Sequence, residues 1–63
     1  MIFGIVFHED GNITVLEGHA QGRFGGATRA LNQANKACGP NDTYTAVEAD
    51  NEDDALKKAK AFQ

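Results

Sequence analysis

"IFGIVFHEDGNITVLE", residues 2–17, is the stretch on which the fold turns. Residues 2–7 are apolar and β-prone, while residues 12–17 alternate apolar with polar, the period of a half-buried strand. Glu9-Asp10-Gly11-Asn12 lies between them, and its Asp-Gly centre suits a two-residue hairpin turn of type I′. That turn pairs Phe7 with Thr14, Val6 with Val15 and Ile5 with Leu16. One face then holds Phe3, Ile5, Phe7 and Leu16; the other holds Ile2, Val6, His8, Ile13 and Val15. The first face carries the large aromatics and is the expected core face.

Beyond the hairpin, residues 18–26 form a glycine-rich connector. From about Phe24, apolar residues recur at helical spacing: Phe24, Ala27, Leu31, Ala34 and Cys38. Gly39 is expected to end this helix as a left-handed residue, and Pro40 forbids its continuation. Residues 43–49 have the β-branched and aromatic content of a third strand. Asp50 or Asn51 would cap a last helix whose stripe is Ala55, Leu56, Ala59 and Phe62. The expected fold is one α+β domain over residues 1–63, in the order ββαβα. A helix between strands two and three allows a right-handed crossover. The first strand is the most continuously apolar and belongs in the middle, which gives a three-stranded antiparallel sheet of order 2-1-3. Both helices are expected on the Phe3/Ile5/Phe7 face, with Phe3, Ile5, Phe7, Leu16, Leu31, Leu56 and Phe62 buried together.

At 63 residues the chain buries only about 60% of the surface its unfolded form exposes. A single cysteine excludes an internal disulfide. Residues 1–7 lack a basic leader and reach His8-Glu9-Asp10 too soon for a signal peptide or a membrane span, so the expected compartment is the cytoplasm. The two matches to the glycosylation pattern, at Asn12 and Asn41, then have no consequence.

Chemistry-bearing residues are few. The chain has no serine, so serine nucleophiles are excluded. Cys38 falls on a helical apolar stripe near a helix C-terminus, where the dipole disfavours a thiolate, and reads as core. His8 and His19 have no second histidine or cysteine at ligand spacing, so neither a metal nor a cofactor is expected. In "GHAQGRFGGATR", residues 18–29, glycines lead into a helix start beside Arg23 and Arg29, an arrangement that can hold a phosphate. It lacks the lysine-hydroxyl pair of a P-loop, and a plain crossover connector accounts for it.

Charge carries the remaining information. The net charge is −3, which opposes direct attraction to nucleic acid or to an anionic membrane. In "EADNEDDALKK", residues 48–58, five carboxylates fall within seven positions before the run turns basic. Glu52, Asp53 and Asp54 complement the positive end of a helix dipole, and Lys57, Lys58 and Lys60 the negative end. Helix chemistry does not account for Glu17 or Glu48, and the 2-1-3 order gathers them with Asp50 at one end of the sheet. Glu9, Asp10 and Asp42 gather at the other. No basic residue occurs from Cys38 to Leu56. Carboxylates spread over both ends can imitate a phosphate backbone and occupy a basic groove.

Two resemblances bear on function. "TYTAVEADNEDDALKKAKAF", residues 43–62, resembles the strand-to-helix ending of HicB-type antitoxins, whose opening strands are also similar to "IFGIVFHEDGNITV". The helix between them departs from the HicB plan. As a whole, a compact, acidic, single-domain α/β chain of this length resembles the small anti-CRISPR proteins of phages, inhibitors of type I systems in particular. That resemblance implies a non-enzymatic, monomeric inhibitor that binds a protein complex, such as a CRISPR effector, at its basic nucleic-acid groove in the host cytoplasm. The HicB resemblance implies an antitoxin or prophage regulatory module instead. An enzyme would need His8, His19 and the glycine connector to converge on one pocket.

Overall fold

The structure is a computed structural model that describes residues 1–20 and 26–62. Strands β1 (Ile2–Phe7) and β2 (Ile13–His19) are followed by helix α1 (Gly26–Ala37), strand β3 (Thr43–Glu48) and helix α2 (Glu52–Lys60). The sheet is antiparallel with order β2-β1-β3, so the expected α+β class, ββαβα order and central first strand are all present.

The hairpin departs from its expected register, and the turn explains why. His8 N donates to Asn12 O at 2.8 Å and Gly11 N donates to His8 O at 3.0 Å, so Glu9, Asp10 and Gly11 form a three-residue loop. Gly11 takes the left-handed position such a loop requires, with φ +93°. One extra loop residue slides β2 by one place: Phe7 faces Ile13, Val6 faces Thr14 and Ile5 faces Val15. Because side chains alternate, that slip turns Ile13 and Val15 onto the Phe3/Ile5 face, where they pack against the core. Opposite Gly4, β2 then carries two residues, Leu16 and Glu17, and beyond this bulge Phe3 faces Gly18 and Ile2 faces His19.

The second departure is the placement of α1. Phe3 and Ile5 cluster with Val47, Ala49, Ala55 and Ala59, which puts α2 on their face as expected. Gly4 points the opposite way, and there a Cβ would stand 2.7 Å from Ala30 O and 3.3 Å from Ala34 Cβ. Helix α1 therefore covers the Ile2/Gly4/Val6 face, and the two helices do not touch one another. With both faces covered, neighbouring Ile5 and Val6 are each fully buried.

Small residues build these contacts. Gly26, Ala30 and Ala34 line the buried side of α1, and Ala55 and Ala59 that of α2. Leu31 is 39% exposed, Phe62 is 69% exposed and Ala27 is exposed, while Phe7, Leu16 and Leu56 are half-buried. Of the expected stripes, Ala34, Ala55 and Ala59 are buried, while the larger members Leu31 and Phe62 turn away from the sheet. Phe24 lies outside the described residues. Gly39 has no positive φ. Instead, Asp42 N donates to Gly39 O at 3.2 Å, closing a turn with Pro40 at its second position. Asn51 caps α2, its Oδ1 accepting from Asp54 N at 2.8 Å.

Candidate functional site

The strand register places the carboxylates. Ile2 lies opposite His19 on one side and Glu48 on the other. Glu17 and Glu48 therefore flank the same end of β1 from the two outer strands, roughly 10 Å apart by strand spacing. Asp50 follows Glu48 by two residues. All three residues are exposed, and their carboxylates accept no hydrogen bond among the described residues. Glu52 and Asp53, in the first turn of α2, are also exposed. Asp54 is engaged: its Oδ2 accepts from Asp50 N at 3.3 Å and lies 3.4 Å from Lys58 Nζ. Those contacts, led by the Asp50 N–H, hold its carboxyl below the usual aspartate range.

At the other end of the sheet, Glu9 and Asp10 are exposed in the hairpin loop. Asp10 spends its carboxylate locally, accepting from Asn12 N at 3.0 Å and Asn12 Nδ2 at 2.9 Å. Asp42 is not a free rim charge. Its Oδ2 accepts from Gly39 N at 2.8 Å and from His8 Nδ1 at 3.0 Å, and its Oδ1 accepts from Glu9 N at 3.3 Å. The Gly39 N–H is the main cause of its lowered pKa; burial opposes the shift and His8 and the Glu9 N–H add to it. The other ring nitrogen of His8, Nε2, shares a hydrogen bond with the Thr14 hydroxyl at 2.7 Å. Sequence reasoning missed this network, whose members lie 34 residues apart in the case of His8 and Asp42. The available signal is local: an aspartate closing a Gly-Pro-Asn turn faces the N–H groups that the turn leaves unpaired.

Carboxylate, imidazole and hydroxyl follow one another here as they do in a nucleophile relay. The surroundings oppose that chemistry. Thr14 is exposed, and the shallow pocket it shares with His8 and Asp42 is otherwise lined by Glu9, Asp10 and Asn12. Carboxylates beside the hydroxyl disfavour the oxyanion that acyl transfer builds. What the network does is tie the hairpin loop to the α1–β3 turn.

The two histidines do not converge. His19 pairs with Ile2, and its Nε2 donates to Gln33 Oε1 on α1 at 2.8 Å, whereas His8 lies past the other end of β1. Six residues of strand, about 20 Å, separate them. Most of the glycine connector with Arg23 lies outside the described residues; Arg29 is exposed on α1. Cys38 follows the end of α1 and is half-buried, and its thiol pKa is raised by that burial and by the Asp42 charge. Among the described residues no three His, Cys, Asp or Glu side chains group as metal ligands, and no helix is long and apolar enough to cross a membrane. No family model matches the chain, and neither a curated protein nor a solved structure gives a significant match.

Proposed function

We propose that the chain is a non-enzymatic acidic inhibitor that binds a nucleic-acid-handling protein complex at its basic groove, in the manner of an anti-CRISPR protein blocking target DNA. The observation that carries this reading is the exposed set Glu17, Glu48 and Asp50 at one end of the sheet, on a chain of net charge −3. Folding chemistry leaves these three unexplained, since the cap of α2 is Asn51 and its dipole is met by Glu52, Asp53 and Asp54. Like charges gathered at one end of the sheet attract a basic groove at long range, which favours fast, salt-sensitive association. Glu52 and Asp53 extend the surface along the α2 start, and Glu9 and Asp10 form its far end; Asp42 positions that far loop. The partner is a protein, with no direct contact to nucleic acid or membrane, and the chain acts as a monomer in the host cytoplasm.

Mixing the protein with a type I effector complex tests this. Target-DNA binding is lost in proportion to the inhibitor added, without turnover. Persistence of DNA binding at excess inhibitor overturns the reading. The resemblance of the hairpin and of the β3–α2 ending to HicB-type antitoxins supports a second reading, an antitoxin or prophage regulatory module. That reading requires a toxin gene beside this one, and its product co-purifying with the chain.

A further inference from the structure

The two edges of the sheet differ. On β2 the ladder is broken opposite Gly4 by the Leu16/Glu17 bulge, whereas β3 pairs with β1 without interruption from Thr43 to Glu48. Met1 and Ala49 exchange both backbone bonds, Ala49 N to Met1 O at 2.9 Å and Met1 N to Ala49 O at 3.0 Å. In an antiparallel ladder such pairs alternate, so Val47, Thr45 and Thr43 turn their N–H and C=O groups inward to β1. Tyr44, Ala46 and Glu48 turn theirs outward. Among the described residues, the only occupant of that outward row is Lys58, whose Nζ donates to Glu48 O at 2.6 Å. Beside the row runs a shallow groove lined by Ala46, Val47, Ala61 and the exposed Phe62, with Glu48 and Lys58 also on its wall.

We propose that an extended segment of the basic partner docks on the outer edge of β3 and adds a fourth strand to the sheet, displacing Lys58 from Glu48 O. The proposal rests on the reading of the chain as a binder of a basic protein and specifies how contact is made. Main-chain hydrogen bonds to Tyr44, Ala46 and Glu48 hold the segment, and alternate side chains select it. The carboxylates on and beside the strand are Glu48 and Asp50, which are exposed, and Asp42, which is held by its own hydrogen bonds; Lys58, at Glu48 O, is the cation that the segment replaces. The matching segment therefore alternates apolar residues, which enter the groove at Phe62, with lysine or arginine. The same charges reject a second copy of this chain. An antiparallel copy that sets Ala46 against Ala46 brings Asp50 opposite Asp42, and one that sets Tyr44 against Ala46 brings Glu48 opposite Asp42. Like charges directly opposite destabilise a strand pair.

The test is a titration of isotope-labelled protein, followed by amide NMR, with a peptide of about eight residues alternating lysine and valine. A control peptide of identical charge is N-methylated along one edge so that it cannot extend a sheet. The parent peptide is expected to shift Tyr44, Ala46 and Glu48, to slow their amide exchange, and to bind at least about tenfold more tightly than the control. Ala46→Pro, which removes an outward donor and no charge, is expected to reduce the difference between the peptides. The control peptide leaves the protein unaltered, so the test holds even where this variant folds poorly. Equal binding of both peptides, with shifts spread over the carboxylates or along β2, overturns strand addition and leaves the charge reading standing. Failure of both peptides to bind overturns both readings.

Discussion

Replacing Gly4 by alanine inverts an ordinary expectation. In an open strand position Gly→Ala stabilises by about 0.4–1 kcal/mol, because the unfolded chain has less freedom to lose. Here the new Cβ would stand 2.7 Å from the carbonyl oxygen of Ala30 and 3.3 Å from Ala34 Cβ. The first contact is with backbone and cannot be relieved by a side-chain rotation, so α1 has to retreat by about 0.5–1 Å. A gap of that size forfeits a quarter to a half of each lost packing contact. Overpacking of this kind costs about 1–3 kcal/mol, more than the strand position returns. A domain of 63 residues has a stability of only about 3–9 kcal/mol, so the loss is a large fraction of the whole. Urea unfolding followed by circular dichroism reads it directly, and the melting temperature should fall by about 4–8 °C per kcal/mol. An unchanged or higher stability would refute the placement of α1, because that is the result expected if Gly4 faced water.

The core makes a related prediction. Phe3→Ala, at a residue 3% exposed, should cost about 3–5 kcal/mol, half-buried Phe7→Ala less, and Phe62→Ala no more than about 0.5 kcal/mol; chemical denaturation of the three variants orders them. The loop network predicts a pH signature. Asp42 has a lowered pKa in the folded state, so its contribution is fully present above the unfolded aspartate value, about 3.9, and is lost as the pH falls through the lower folded value. Asp42→Asn should therefore melt below the parent at about pH 6, with the gap narrowing as the pH falls below about 3.9, whereas a gap that does not change with pH would show that the carboxylate charge is not what matters.

The elements were legible because their periods are local. Alternation in residues 12–17, the helical spacing up to residue 38 and the cap at Asn51 all act within a few positions. The strand order followed from the apolar continuity of residues 2–7, and the burial of β1 on both faces bears out its central place. What the sequence concealed was non-local. Asp10-Gly11 fits two loop lengths, and the difference of one residue decides which side of the sheet receives Ile13 and Val15. On α1 the buried side follows the smallest residues, not the largest. Gly4, Ala30 and Ala34 bring α1 so close to β1 that only small residues fit between them, and Leu31 is left at the margin. The acidic ends could be read from charge and strand order together. Asp42 could not be separated from them, since its engagement depends on His8 across the fold.

The central claim is that Glu17, Glu48 and Asp50 form a surface kept for a partner rather than for folding. Two triple variants divide the possibilities: Glu17→Gln with Glu48→Gln and Asp50→Asn, and Glu52→Gln with Asp53→Asn and Asp54→Asn. The second set should lower stability by about 0.3–1 kcal/mol per charge, fading with salt, because it removes the dipole partners of α2. The direct measurement is the rate and affinity with which the parent and each variant associate with a type I effector complex, at low and at physiological salt. The account predicts that the Glu17/Glu48/Asp50 variant folds like the parent yet associates at least about tenfold more slowly at low salt, with most of the salt dependence gone. Equal affinity of the parent and both variants would contradict it.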